Sequence, residues 1–134
     1  MRIVVDTSAL IAILRAEEDS SFILDALGRA EQRFMSAGSY LEACIVTAKD
    51  AREAARLGRL FGDVAIDVIA VAPADARIGA DAFLRYGRGS GHPAKLNFGD
   101  CFAYALAKAR NLPLLFKGDD FIHTDVEPAL GPAR

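Results

Sequence analysis

The hydrophobic pattern alternates between short continuous runs and helical spacing. Ile3, Val4 and Val5 make a β-branched run closed by Asp6, and Thr7 and Ser8 stand as N-cap residues before the apolar stretch Ala9 to Leu14, which predicts strand, turn and helix. Between Glu17 and Ala30 the apolar positions Phe22, Ile23, Ala26 and Leu27 keep one helical face, and Arg33 to Ser36 follows as a short strand. A helix is predicted from Ser39 to Asp50, with Leu41, Ile45 and Ala48 as its apolar face, and a second from Arg52 to Phe61, together forming a hairpin. Val68 to Ala72 reads as a fully apolar strand stopped by Pro73, and Ala74 to Tyr86 as the next helix. Gly87 to Asn97, with its glycines and a proline, must be a loop. Asp100 to Arg110 then repeats Phe102, Ala105, Leu106 and Ala109, and Leu112 to Phe116 closes the series as a strand before Gly118.

Strands alternating with helices, the strands too uniformly apolar to have a wet face, predict an α/β domain with a mostly parallel sheet covered on both sides. At 134 residues the chain has the size of one domain, expected to run over residues 1–134, and it shows no repeat, linker or low-complexity tract. A formal charge of −2 argues against a generic nucleic-acid coat while leaving a locally basic groove open. Cys44 and Cys101 lie within helical apolar patterns and read as buried thiols of a reducing compartment. No apolar run approaches the ~20 residues of a membrane helix, so no membrane partner and a cytoplasmic location are expected.

The candidate chemistry is acidic. In an open parallel sheet, sites form beyond the carboxyl ends of the strands. Asp6 ends the first strand, Glu42 falls in the first turn of the helix from Ser39, Asp100 opens the helix of Phe102, and Asp119 and Asp120 follow the last strand. Each has an ordinary structural reading. Ser39 to Glu42 and Asn97 to Asp100 have the spacing of a capping box, and Asp119 or Asp120 suits a turn. Asp6 resists such a reading, because Asp disfavours the strand that it directly follows. Taken together, carboxylates at one edge repel, by about 4 kcal/mol for a pair ~4 Å apart at an effective dielectric near 20, and a cation is the natural compensation. With no histidine or cysteine set beside them, the donors are all oxygen, which suits Mg²⁺ or Mn²⁺ and phosphoryl chemistry on a water nucleophile.

The residues also carry a resemblance. The opening IVVDTSALIAIL, the segment SYLEA, the long GHPAKLNFGDCFAYALAK and the ending LLFKGDDFIHTD resemble the PIN-domain ribonucleases, and within them the VapC toxins of bacterial toxin-antitoxin pairs. The resemblance spans essentially the whole chain. It implies a PIN-like three-layer α/β/α sandwich, Mg²⁺ or Mn²⁺ at an acidic pocket, hydrolysis of RNA, and inhibition by a cognate antitoxin protein, and it leaves a homodimer open. By position, the family's metal-site acids fall on Asp6, Glu42 and Asp100. The fourth falls on Asp119 or Asp120, with Asp119 preferred because the pair Asp120 and Phe121 also has a packing reading. Ser8 is a further oxygen contact on this reading.

Between Asp81 and Asp100 there is no acid, while Arg85, Arg88 and Lys95 are present with His92, a local +3 that suits RNA phosphates. Lys117, directly after a strand, is another phosphate contact. Its counterpart reading is a receiver-type phosphoacceptor domain, which also carries a lysine after a late strand. That design needs an acidic pair after the first strand, where this chain has Asp6 alone. A non-catalytic binding module, its acids only capping helices, is the third reading.

Overall fold

The computed structural model describes residues 1–131, so the last three residues of the expected 1–134 domain lie outside the described part. Four strands, β1 (Arg2–Val5), β2 (Gln32–Ser36), β3 (Ile66–Ile69) and β4 (Leu114–Leu115), form one sheet in the order β3-β2-β1-β4, every neighbouring pair parallel. Six helices connect them: α1 (Thr7–Leu14), α2 (Ser20–Arg29), α3 (Ala37–Thr47), α4 (Ala51–Asp63), α5 (Pro73–Tyr86) and α6 (Phe98–Arg110). Because side chains alternate across a strand, Ile3, Val5, Met35 and Leu115 point to one side of the sheet, and Val4, Phe34 and Leu114 to the other. The first side packs on Leu10, Ile23, Leu27, Ala43 and Leu57 of α1 to α4. The second packs on Ala82, Tyr86, Ala103 and Leu106 of α5 and α6. Two cores on one sheet make the expected three-layer α/β/α sandwich, and they explain why β1 is apolar at three consecutive positions.

Several boundaries move, each for a local reason. The cap of α1 is Asp6, whose Oδ2 accepts the Ser8 N–H at 3.0 Å, so Thr7 and Ser8 are already helical. α3 begins at Ala37, capped by Ser36, whose hydroxyl accepts from the Gly38 N–H. The capping box read at Ser39 and Glu42 is therefore absent, and Glu42 lies in the second turn. The helix buries its small face, Ser39, Ala43 and Thr47, toward α1 and the core of Leu10 and Leu57, with Thr7 donating to the Ser39 carbonyl, while Gly38 lies against α6, where a Cβ would overlap the Phe102 ring. Leu41 and Ile45, expected inside, are 59% and 63% exposed. Likewise Ala109 of α6 is exposed, the buried residues being Gly99 and Ala103 to Ala107.

The predicted strand over Val68 to Ala72 lies earlier, at Ile66–Ile69, since it is an edge strand whose pairing is fixed by β2 from Arg33 to Ser36. The last strand keeps only Leu114 and Leu115 of the run from Leu112 to Phe116. The box at Asn97 and Asp100 is present as read: the Asn97 side chain accepts the Asp100 N–H at 2.9 Å and Asp100 Oδ2 accepts the Asn97 N–H at 3.0 Å. Both cysteines are free and partly buried, and no helix among the described residues is long and apolar enough to cross a membrane.

The two serines of the α3 entrance make a stability test. Removing the cap in Ser36→Ala should cost about 1 kcal/mol. Ser39→Ala should cost nothing or stabilise, because the buried Ser39 hydroxyl has no hydrogen-bond partner. Chemical denaturation of both variants measures the difference, and equal losses would contradict the assigned cap.

Candidate functional site

A parallel sheet sends all its carboxyl ends to one edge, and β1 sits between neighbours reached in opposite directions, β2 after it in sequence and β4 at the end of the chain. That switch point is where Asp6 stands. Helices that run back along the sheet present their N-termini to the same edge, which brings the first turn of α6 and the start of α3 beside it.

Asp6 is 3% exposed, an uncommon position for a carboxyl. Its Oδ2 accepts from both the backbone N–H and the hydroxyl of Ser8, at 3.0 and 2.6 Å, while its Oδ1 is buried with no partner. Burial pushes the Asp6 carboxyl from the ordinary 3.8 up to about 6; the Ser8 hydrogen bonds oppose the rise and the Glu42 charge adds to it. Asp100, partly buried, is pushed up to about 7, first by burial, against the Asn97 N–H bond, and further by the charges of Asp6 and Asp120 and a carboxyl contact with Asp120. Glu42 reaches across from α3 to the backbone of Gly99 in the first turn of α6. Asp6, Glu42, Asp100 and Asp120 thus act on one another at one edge.

Asp119, the preferred fourth acid on the sequence, faces differently. It lines a separate depression with Asp19, Ile23, Phe116, Lys117 and Ile122, whereas Asp120 meets Asp100. Phe121 packs into the core beside Phe116, and that seating fixes which acid of the turn faces inward.

Ser8 has both its hydrogen-bonding roles taken: besides donating to Asp6, its hydroxyl accepts the Lys117 backbone N–H at 3.0 Å, tying the end of β4 to the start of α1. The Lys117 ammonium lies 3.6 Å from Asp19. Thr7, passed over in the sequence as a cap, is buried and donates to the Ser39 carbonyl at 2.9 Å, clamping α1 to α3; only its place directly after the strand-end Asp6 hinted at this.

The basic segment is an ordered loop. Gly87 and Leu96 bridge across its base, with Arg88 N–H on the Leu96 carbonyl at 2.8 Å and Leu96 N–H on the Tyr86 carbonyl at 2.9 Å, and Ala94 and Leu96 are buried anchors. Arg88, His92 and Lys95 line one depression together with Asp120, so the loop opens onto the acidic edge. Arg85 instead lies over the Tyr86 ring, 4.8 Å from its centre. His92 packs edge-on against Tyr86 and its Nδ1 accepts the Ala94 N–H, a structural role. Tyr104 is buried and its hydroxyl donates to Asp125 at 2.7 Å, away from the acids.

The raised values of Asp6 and Asp100 fix the sign of a pH effect. Both bind a proton more tightly folded than unfolded, so their contribution is complete below about pH 4 and is lost as pH rises through 6 and 7. Metal-free protein should therefore melt several degrees higher near pH 5 than near pH 8. Asp6→Asn combined with Asp100→Asn should flatten that difference. A wild-type melting temperature that instead falls on acidification over this window would contradict the clustering.

The PIN domain family model matches residues 3–127. Ribonuclease VapC42 of Mycobacterium tuberculosis is 49% identical over 128 residues, covering 94% of this chain and 98% of that protein. Ribonuclease VapC28 of the same species is 50% identical over 129 residues, covering 95% and 97%. Among solved structures, a toxin-antitoxin complex from Klebsiella pneumoniae contains a chain with the same fold, with a TM-score of 0.71 at 18% identity over 96% of this chain and 98% of that one. The receiver-type reading is not favoured by these likenesses. The chain belongs to the PIN-domain family, among its VapC ribonucleases.

Proposed function

We propose that this protein is a metal-dependent endoribonuclease and the toxin of a toxin-antitoxin pair, hydrolysing RNA phosphodiester bonds. The observation that carries the reading is the convergence of Asp6, Glu42, Asp100 and Asp120 on the switch point of the sheet, in a chain half identical to VapC ribonucleases.

The donor set fits a hard divalent cation. Asp6 Oδ1 is a buried oxygen without a hydrogen-bond partner, and such an atom is costly unless something electropositive meets it. Among the described residues no three Asp, Glu, His or Cys side chains are placed to hold an ion together, so the protein's share of the coordination would be one or two carboxylates, as is usual for Mg²⁺. One or two of the four acids Asp6, Glu42, Asp100 and Asp120, completed by water and substrate oxygens, would hold Mg²⁺ or Mn²⁺, which when bound supplies water activation and stabilises charge on the scissile phosphate and leaving oxygen.

The chain's own groups do the rest. Ser8 fixes the Asp6 carboxyl by donating to it while accepting the Lys117 N–H, and so acts as a positioning group. Asn97 orients Asp100 by holding Oδ2, leaving the other oxygen for the site. Arg88 and Lys95 flank Asp120 and would hold phosphates on the RNA path, fixing register without reading bases. Arg85 and Lys117 are secondary contacts, one stacked on Tyr86 and the other paired with Asp19.

A toxin of this kind needs a protein that covers the site. The exposed Leu41 and Ile45 of α3, beside Tyr40 packed on Phe61, give an apolar face among the early helices for an antitoxin segment. An antitoxin arginine would pair bidentately with the acids at the edge. Co-expression with the neighbouring small open reading frame should lift toxicity and yield a complex.

Asp6→Asn and Asp100→Asn should each lose more cleavage than the roughly 100-fold that supporting residues cost, with normal folding. Asp120→Asn should behave like them and Asp119→Asn should not. Cleavage of total RNA by purified variants, with and without EDTA, measures this; near-wild-type cleavage by Asp6→Asn and Asp100→Asn would sink the nuclease reading. On catalytically dead Asp100→Asn protein, Arg88→Ala and Lys95→Ala should weaken RNA binding across sequences and reduce the salt slope by about 0.7 for each lost single-strand contact. An unchanged slope would leave the loop outside the RNA path.

A further inference from the structure

The approach of Glu42 to the acidic edge has a steric condition that lies on another helix. Glu42 projects from the second turn of α3, and its carboxyl rests against Gly99, the second residue of α6. A Cβ built on Gly99 would overlap Glu42 Oε2, and would lie 2.7 Å from Cδ and 2.9 Å from Oε1; its three nearest atoms all belong to that one carboxyl. The backbone of Gly99 is ordinary helix, so no unusual dihedral calls for glycine there. Nor does helix formation, since glycine is the poorest helix former apart from proline. What the position requires is empty space, and the group that fills the space is Glu42.

We propose that Gly99 is a positioning residue: the missing side chain at this place is what admits the Glu42 carboxylate to the edge shared by Asp6 and Asp100. The reading rests on Glu42 belonging to the site as proposed above. Its consequences follow from which atoms have to move. The carboxyl is the end of a flexible side chain, so a methyl group at position 99 turns Glu42 aside without displacing backbone. Gly38 differs, since a Cβ there meets the ring of Phe102, an aromatic side chain between packed helices. Substitution at Gly99 should therefore spare the fold and remove Glu42 from the site.

The test compares Gly99→Ala, Glu42→Ala and the double variant. Gly99→Ala should melt at or above the wild-type temperature, because alanine is the better helix former. Its Mn²⁺ affinity, measured by calorimetry, should fall roughly 10- to 100-fold, and kcat for RNA cleavage by a similar factor with KM little changed. The loss should match that of Glu42→Ala, and the double variant should be no worse than either. In metal-free protein the Glu42 side-chain carboxyl ¹³C resonance should move in Gly99→Ala. An unmoved resonance overturns the inference whatever the activity, as do additive losses in the double variant. If the resonance moves while Glu42→Ala and Gly99→Ala both cleave RNA at the wild-type rate, the steric inference stands and the assignment of Glu42 to the nuclease site fails.

Discussion

The interaction on which the rest of the structure depends is the burial of the Asp6 carboxyl at the end of a strand that has no wet face. β1 is covered on both sides, Ile3 and Val5 by one core and Val4 by the other, so the residue that ends it is enclosed too. A carboxyl there loses hydration, and two hydrogen bonds from Ser8 satisfy only one of its oxygens. Bringing Glu42, Asp100 and Asp120 to the same edge makes the charged form costlier still. A packed core would ordinarily relieve this by letting the acids part. Here three of the four are held locally: Asp6 by Ser8, Asp100 by Asn97, and the turn of Asp120 by Phe121 in the core and by the Ser8 bond to Lys117. The strain is retained because the elements carrying the acids are fixed for reasons of their own.

The ordinary and the functional readings of these acids are consequently not rivals. Asp6 is the N-cap of α1, and Asp100 is half of a capping box. A carboxylate has two oxygens, and a cap uses one of them. The other is then aimed by the helix geometry instead of by flexible torsions, so the hydrogen bond that explains the residue structurally is also what orients it. Weighing cap against ligand residue by residue treats as alternatives two uses of one group.

The alternation of strands and helices, the parallel sheet and the placing of Asp6, Glu42 and Asp100 at one sheet edge were legible in the sequence because they follow from local rules. β-branched runs, capping boxes and the placing of sites beyond strand ends need no long-range information. What was not legible depended on helix crossing. The i, i+4 pattern of Leu41 and Ile45 is a true helical face, yet α3 buries Ser39, Ala43 and Thr47, the face that its crossing turns toward α1 and the core of Leu10 and Leu57. Hydrophobicity alone ranks the wrong face. The choice between Asp119 and Asp120 was hidden for a similar reason: adjacent residues in a turn share every local property, and only the seating of Phe121 distinguishes them.

With a net charge of −2 and acids crowding one edge, the molecule as a whole repels a polyanion. The loop from Gly87 to Leu96 answers this locally, since it is pinned at its base to Tyr86 and Leu96 and holds Arg88 and Lys95 beside Asp120. Gly89, Gly91 and Lys95 take positive φ there, so the chain reverses several times within a short span and keeps its cations at the rim. Distance then decides the balance. Screening at physiological salt confines either charge to about 8 Å, so on the proposed path an RNA strand would meet the cations at the rim first and the acids only where its backbone crossed the edge of the sheet. A net negative charge and a polyanionic substrate are compatible as long as that order of encounter is built into a loop pinned at its base.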